Sequence, residues 1–252
     1  MRWREYLRNG WSRATGGPHL RFFGRTACTI VVVLLAGCGI PEFAYLAPPI
    51  PGTVTELPPT VTFSHSVDND TDSFFGYELY YKFYDPETGE QPFQADRTAI
   101  QNAAAGVVAS TITARGYRRI QRLDSDARPT LAIPALDGAI PFTVTLRFQQ
   151  EPEPEPQTPQ TGAVASWTGD AKRQVALVRD QAALGNPTPP LGFTEEDIVP
   201  GVHLDLSGFE PNGLGLRMGL VIVSYGVDFA TGRFGEIYST AVVPENQLRI
   251  FY

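Results

Sequence analysis

Tyr77-Glu78-Leu79-Tyr80-Tyr81-Lys82-Phe83-Tyr84 is the stretch that decides the fold. It is rich in aromatics and alternates with period two, the pattern of a strand. Its odd positions, Tyr77, Leu79, Tyr81 and Phe83, make one apolar face. Its even positions, Glu78, Tyr80, Lys82 and Tyr84, make an amphipathic one. Asp85-Pro86-Glu87-Thr88-Gly89 supplies turn residues and stops it.

Upstream, Thr60-Val61-Thr62-Phe63-Ser64-His65 alternates in the same way, and residues 68–76 read as a polar loop. Downstream, the spacing of Ile100, Ala103, Ala104, Val107, Val108 and Ile112 predicts a helix near residues 97–115. Asp96 can cap it and Gly116 can end it, since a positive φ is cheap for glycine. Gly106 costs that helix about 1 kcal/mol. The alanines on the stripe imply close packing on a sheet.

Strands are then expected at 117–123, 142–148, 163–167, 174–179, 216–229, 236–243 and 248–252. In 142–148, Phe142, Val144, Leu146 and Phe148 face inward. In 216–229, Val221, Val223, Tyr225, Val227 and Phe229 share a face. Residues 186–201 read mostly as loop, with a helical turn at Thr194-Glu195-Glu196-Asp197. Glu151-Pro152-Glu153-Pro154-Glu155-Pro156 cannot pack and marks a Pro/Glu-rich solvated loop over 151–160. The expectation is one mostly-β domain, 60–252, built as a β-sandwich with an inserted helix.

Composition narrows the functions. Hydrophobic residues are 42% of 252 and charged ones 19%, enough apolar material for a core. The net charge of −7 argues against a nucleic-acid binder. Two cysteines and three histidines are too few for a disulfide framework or a cysteine-rich zinc site. No nucleophile elbow, phosphate loop or zinc-binding helix occurs, and no cofactor is expected.

The N-terminus has an export layout. Arg2, Arg4, Arg8, Arg13, Arg21 and Arg25 stand against Glu5, and a short apolar run follows over 26–37. That run is shorter than the ~20 residues a spanning helix needs. A signal-anchored single-pass protein is the alternative. The run ends in Leu35-Ala36-Gly37-Cys38, which resembles the lipobox of bacterial lipoproteins. The resemblance implies diacylglyceryl attachment to the Cys38 sulfur, cleavage before Cys38 (a signal peptide of 1–37), and acylation of the new amine. Two or three acyl chains give lasting membrane attachment where one does not. The remaining chain has fourteen basic and twenty-six acidic side chains, a net −12, so its surface is repelled by anionic headgroups. Residues 38–59, with Pro41, Pro48, Pro49, Pro51, Pro58 and Pro59, read as a Pro-rich tether.

Two further resemblances bear on the body. Phe75-Gly76-Tyr77-Glu78-Leu79-Tyr80-Tyr81 is similar to the third-strand pattern of fibronectin type III domains. Val223-Ser224-Tyr225-Gly226-Val227-Asp228 through Gly235-Glu236-Ile237-Tyr238-Ser239 looks like that family's last two strands. This implies a fibronectin type III/immunoglobulin-like β-sandwich with no catalytic residues to carry over. The tryptophan usual in the second strand is absent, with Phe63 nearest, and the helix is foreign to a simple module. Cys38-Gly39-Ile40-Pro41-Glu42-Phe43 resembles the start of spirochaete-type envelope lipoproteins.

Candidate chemistry is sparse. Asp68, Asp70 and Asp72 alternate as calcium ligands do, but Ser73 and Leu79 stand where an EF-hand needs Gly and Glu. Asn69-Asp70-Thr71 fits a glycosylation acceptor. Gly213-Leu214-Gly215 reads as a flexible lead into a strand. His65 reads as a partly buried strand residue. His203 beside Asp205, with Ser207 or Ser224, is the one conceivable catalytic pairing. Tyr80 and Tyr84 are candidates for a binding surface toward a protein or glycan, or they pack under the helix that follows. The function expected is a non-catalytic lipoprotein, lipid-anchored to the bacterial cell envelope. The alternative is an envelope hydrolase or calcium-dependent enzyme.

Overall fold

The structure, a computed structural model, describes residues 45–56, 58–69, 72–133, 140–148, 161–168, 174–209, 215–229 and 235–250. All belong to one compact unit, 43–252. The eleven strands are β1 (Ile50–Thr55), β2 (Thr60–Ser64), β3 (Phe74–Tyr84), β4 (Arg118–Arg122), β5 (Leu131–Ala132), β6 (Thr143–Phe148), β7 (Ala163–Trp167), β8 (Gln174–Arg179), β9 (Leu216–Asp228), β10 (Gly235–Tyr238) and β11 (Leu248–Ile250). Two short helices, α1 (Glu90–Gln101) and α2 (Val108–Ala114), follow β3.

The centre is the antiparallel ladder of β3 with β9. Leu79 lies opposite Ile222, Tyr81 opposite Leu220 and Phe83 opposite Met218. The full hydrogen-bonded path is β1-β2-β6-β7-β8-β4-β3-β9-β10, with β5 added to β3 and β11 to β9. Every pairing is antiparallel. β2 and β3 are five places apart on that path, yet the ring centroids of Phe63 and Tyr77 are 5.0 Å apart. The sheet therefore curls on itself. Its inner face buries Phe63, Val144, Leu146, Phe148, Leu79 and Ile222 in one core.

The alternation of β3 sends its even positions the other way. Tyr80 and Tyr84 pack with Val221, Val223, Phe93, Ile100, Val108 and Ile112 in a second core under the helices. β9 is thus buried on both faces. The stripe Val221 and Val223 meets the helices, while Leu216, Met218, Leu220 and Ile222 fill the curl. Gly219 is needed between them, because a Cβ there would lie 2.8 Å from the Tyr117 hydroxyl and 2.9 Å from the Tyr84 ring.

Besides β10, which stops at Tyr238 where the sequence predicts a strand to 243, and β5, which it does not predict, two larger regions differ from the sequence expectation. The helix near 97–115 is two helices. α1 begins at Glu90 with Gly89 as its N-cap, and Pro92 falls in its first turn, where no N–H is required. Asp96 is not a cap but a mid-helix residue whose carboxylate accepts from Lys82 Nζ (2.6 Å) and the Tyr84 hydroxyl (2.9 Å). The chain breaks at 102–107, around Gly106, leaving Val107 exposed while Ile100, Val108 and Ile112 stay buried. Gly116 does end α2, with φ +81°. The second difference is the tether. From Leu46 the chain is already part of the domain, and 50–55 is strand β1, paired with β2. Prolines are tolerated there because β1 is an edge strand. The Pro/Glu-rich stretch 151–160 lies outside the described residues, as do 1–44.

One end of the curl is closed by the segment 191–209, whose Phe193, Ile198 and Leu206 enter the core. Arg179, wholly buried at the end of β8, holds it. Its Nε donates to Gly192 O (3.0 Å), and one terminal nitrogen donates to both Asp205 carboxylate oxygens (3.0 and 3.1 Å). The other donates to Asp197 O, and the Tyr81 hydroxyl donates to Asp205 Oδ2 (2.7 Å). Replacing Asp205 by Ala strands a buried guanidinium, which costs about 3–5 kcal/mol. Urea unfolding of Asp205→Ala is expected to show that loss; a change within 0.5 kcal/mol, the size of ~0.5 typical of surface substitutions, contradicts the closure described.

Candidate functional site

Two polar arrangements stand out, one where the chain enters the sheet and one against β3.

The first is built on Asn69, in the turn after β2. Its Oδ1 accepts from Ala47 N (2.8 Å), and its Nδ2 donates to Ala47 O (2.9 Å) and to Ser224 Oγ (3.3 Å). Ser224 Oγ also donates to Ala47 O (2.6 Å). Both backbone groups of Ala47 are thereby satisfied by side chains, which a segment lying across strand ends requires. Leu46 beside it is buried; a Cβ at Gly226 would lie 3.3 Å from its Cδ1. Asn69 is therefore a buried structural clamp and cannot carry a glycan in this fold.

The second centres on Glu78. Alternation puts it on the outer face of β3 beside Tyr80, opposite Val223. It is fully buried, and neither carboxylate oxygen has a hydrogen-bond partner among the described residues. Arg128 Nε stands 3.4 Å away and an Arg119 terminal nitrogen 3.8 Å away. Arg128 is turned elsewhere: one nitrogen donates to Glu236 Oε2 (2.6 Å) and to the Tyr238 hydroxyl (2.7 Å), and its guanidinium lies over the Tyr225 and Tyr238 rings. Tyr225 and Tyr238 also donate to Glu236. Burial pushes the Glu78 carboxyl up to about 7, and the pull of Arg128 and then Arg119 offsets it only in part. For Glu236 burial acts upward too, but hydrogen bonds from Tyr238 and Arg128 outweigh it and hold the group below the usual carboxylate range. A carboxyl raised toward neutrality and one held low therefore share Arg128. Such a group can exchange a proton near neutrality, but it is fully buried.

The sequence candidates fall as follows. Tyr80 and Tyr84 are 2% and 3% exposed, so they pack under the helices and offer no surface. The helices that directly follow β3 cover them. Asp68 and Asp72 are exposed; Asp70 lies outside the described residues. Among the described residues, no group of three or more His, Cys, Asp or Glu is placed to hold a metal. His65 is buried, stacked on Phe142 at 4.6 Å, with Nδ1 sharing a 2.6 Å hydrogen bond with the Tyr77 hydroxyl. Asp205 is engaged by Arg179, Ser224 by Ala47, and Ser207 Oγ donates to Leu204 O. The fold thus commits these side chains to structural contacts. Leu35, Ala36, Gly37 and Cys38 lie outside the described residues, as does the apolar run 26–37; among the described residues no helix is long and apolar enough to cross a membrane. Sequence reading missed Asn69 as a clamp and Glu78 as a buried acid. The one signal for Glu78 was a lone carboxylate in an otherwise aromatic strand.

No family model matches the chain, and neither a curated protein nor a solved structure matches it.

Below about pH 4.5 Glu78 is protonated in both the folded and unfolded chain. From there to about 7 the unfolded chain releases the proton while the fold keeps it. Stability therefore falls with rising pH across that window, by about 3 kcal/mol, and then levels. Glu78→Gln removes this component. Denaturant midpoints from pH 4.5 to 8 are expected to diverge, with the wild type declining relative to Glu78→Gln; parallel profiles contradict it.

Proposed function

We propose that this chain is a lipid-anchored protein of the bacterial cell envelope whose β domain is a non-catalytic binding or structural module. The observation that carries the reading is Leu35-Ala36-Gly37-Cys38, placed after a basic stretch and a short apolar run. The clamp on Ala47 supports it, because ordered domain begins within ten residues of the sulfur. A lipid there would hold the domain beside the bilayer with little slack. The engagement of Asp205, Ser207 and Ser224 in structural hydrogen bonds favours a binding module over the hydrolase alternative.

The finer fold assignment belongs to the same proposal. We infer a fibronectin type III-like sandwich, elaborated by α1 and α2. Its support is the meeting of the β2–β6–β7 half with the β3–β9–β11 half across one core, and the β9–β10 hairpin at the residues that resemble the family's last strands. The β4–β8 pairing, which joins the two halves, departs from a simple two-sheet module.

Cys38→Ala tests the anchor. In cells fed a radiolabelled or alkynyl fatty acid, the wild type is expected to take up label and the variant to accumulate as a precursor that retains residues 1–37. Equal incorporation in both removes the anchor from the account.

A further inference from the structure

Among the described residues, most large apolar side chains that the fold leaves exposed gather at one end of the sheet. Tyr45 (67% exposed) precedes the clamp, Ile50 begins β1, Val67 sits in the turn after β2, and Phe75 is near the start of β3. Ile140 (58% exposed) precedes β6, and Phe229 follows β9. Contacts tie these places together. Asn69 binds Ala47, and Ile50 lies opposite Ser64 at the end of β2. The Phe75 and Phe229 rings meet at 6.0 Å, and His65 bridges Phe142 and Phe74. A clustered apolar rim of this kind marks a contact surface, where scattered single residues would not.

The chain itself names the occupant. Six residues separate Cys38 from Tyr45, so the sulfur can stand at most about 25 Å from Tyr45. The other exposed apolar group, Val199, Val202 and Leu204, flanks Asp205, which Tyr81 reaches from the far part of β3. That is roughly 20 Å along the strand from Phe75, so a short tether favours the near end. Three of the six rim residues are aromatic: Tyr45 is of the kind enriched at headgroup depth, and Phe75 and Phe229 are of the kind that interfacial segments bury. Asp68 and Asp72 are exposed at the same end, so an anionic surface would repel it and an uncharged one would not.

We propose that this end, with Tyr45, Ile50, Val67, Phe75, Ile140 and Phe229, is a docking surface that rests on the bilayer holding the Cys38 lipid, against headgroups without net charge. The inference rests on the anchor reading and adds which face meets the membrane.

The test uses the mature acylated protein in phosphatidylcholine vesicles. A nitroxide is placed by Phe75→Cys, by Val67→Cys in a separate protein as a check against misfolding, and by Leu204→Cys at the opposite end. Cys38 is blocked by its lipid, and Cys28 departs with residues 1–37. Collision with oxygen relative to a water-soluble nickel chelate is expected to be several-fold higher at 75 and 67 than at 204. An acylated, vesicle-bound protein with equal ratios at all three positions overturns this inference and leaves the anchor standing. A protein without acyl chains overturns the anchor reading, and this inference with it.

Discussion

The β3–β9 ladder is the constraint on which the rest of the structure depends. Ten residues of β3 pair with β9, and side chains leave both faces of that ladder into apolar surroundings. On one side the sheet curls over it; on the other, α1 and α2 cover it. A ladder so enclosed is shielded from water, which cannot then compete for its backbone hydrogen bonds. Each polar feature described is placed relative to it. Asn69 and Ser224 act at one end, Tyr81 and Asp205 near the other, and Glu78 in the middle of the outer face.

Much of this was legible from alternation alone. β6 lies where period two put it, with Phe142, Val144, Leu146 and Phe148 all buried, and β7 and β8 match the short strands expected at 163–167 and 174–179. β3 begins three residues earlier than its alternating core, because Gly76 takes φ +147° at a bulge where β5 crowds it. β1 was hidden among prolines, whose composition reads as tether. The edge position that makes prolines acceptable is a tertiary fact, set by β2. The helix was misplaced because Asp96 has the composition of a cap; what fixes it mid-helix is Lys82 and Tyr84, on a strand that local spacing does not connect to it.

The polar sites were less legible, since each is assembled from distant segments. The Glu78 carboxyl is raised by its burial, against the opposing pull of Arg128, fifty residues on, and of Arg119, with Glu236 beyond β9 adding a smaller upward push. No local pattern encodes that meeting. The clamp on Ala47 joins positions 47, 69 and 224. The proposed lipobox is the opposite case: the resemblance rests on four neighbouring residues, Leu35-Ala36-Gly37-Cys38. The exposed apolar rim lies between these extremes, because its members are dispersed in sequence and only the sheet brings their strand ends together.

Two ends and one buried ladder therefore organise the described domain: an apolar rim near Tyr45, a plug held by Arg179 toward the other end, and β3 with β9 between. Native-state hydrogen exchange, resolved by residue, tests the ladder most directly. The account predicts that amides of Leu79 to Phe83 and Leu220 to Val223 exchange slowest, opening only with global unfolding, while those of β1 and β10 open earlier. Exchange of the central amides at the rate of the two edge strands would contradict it.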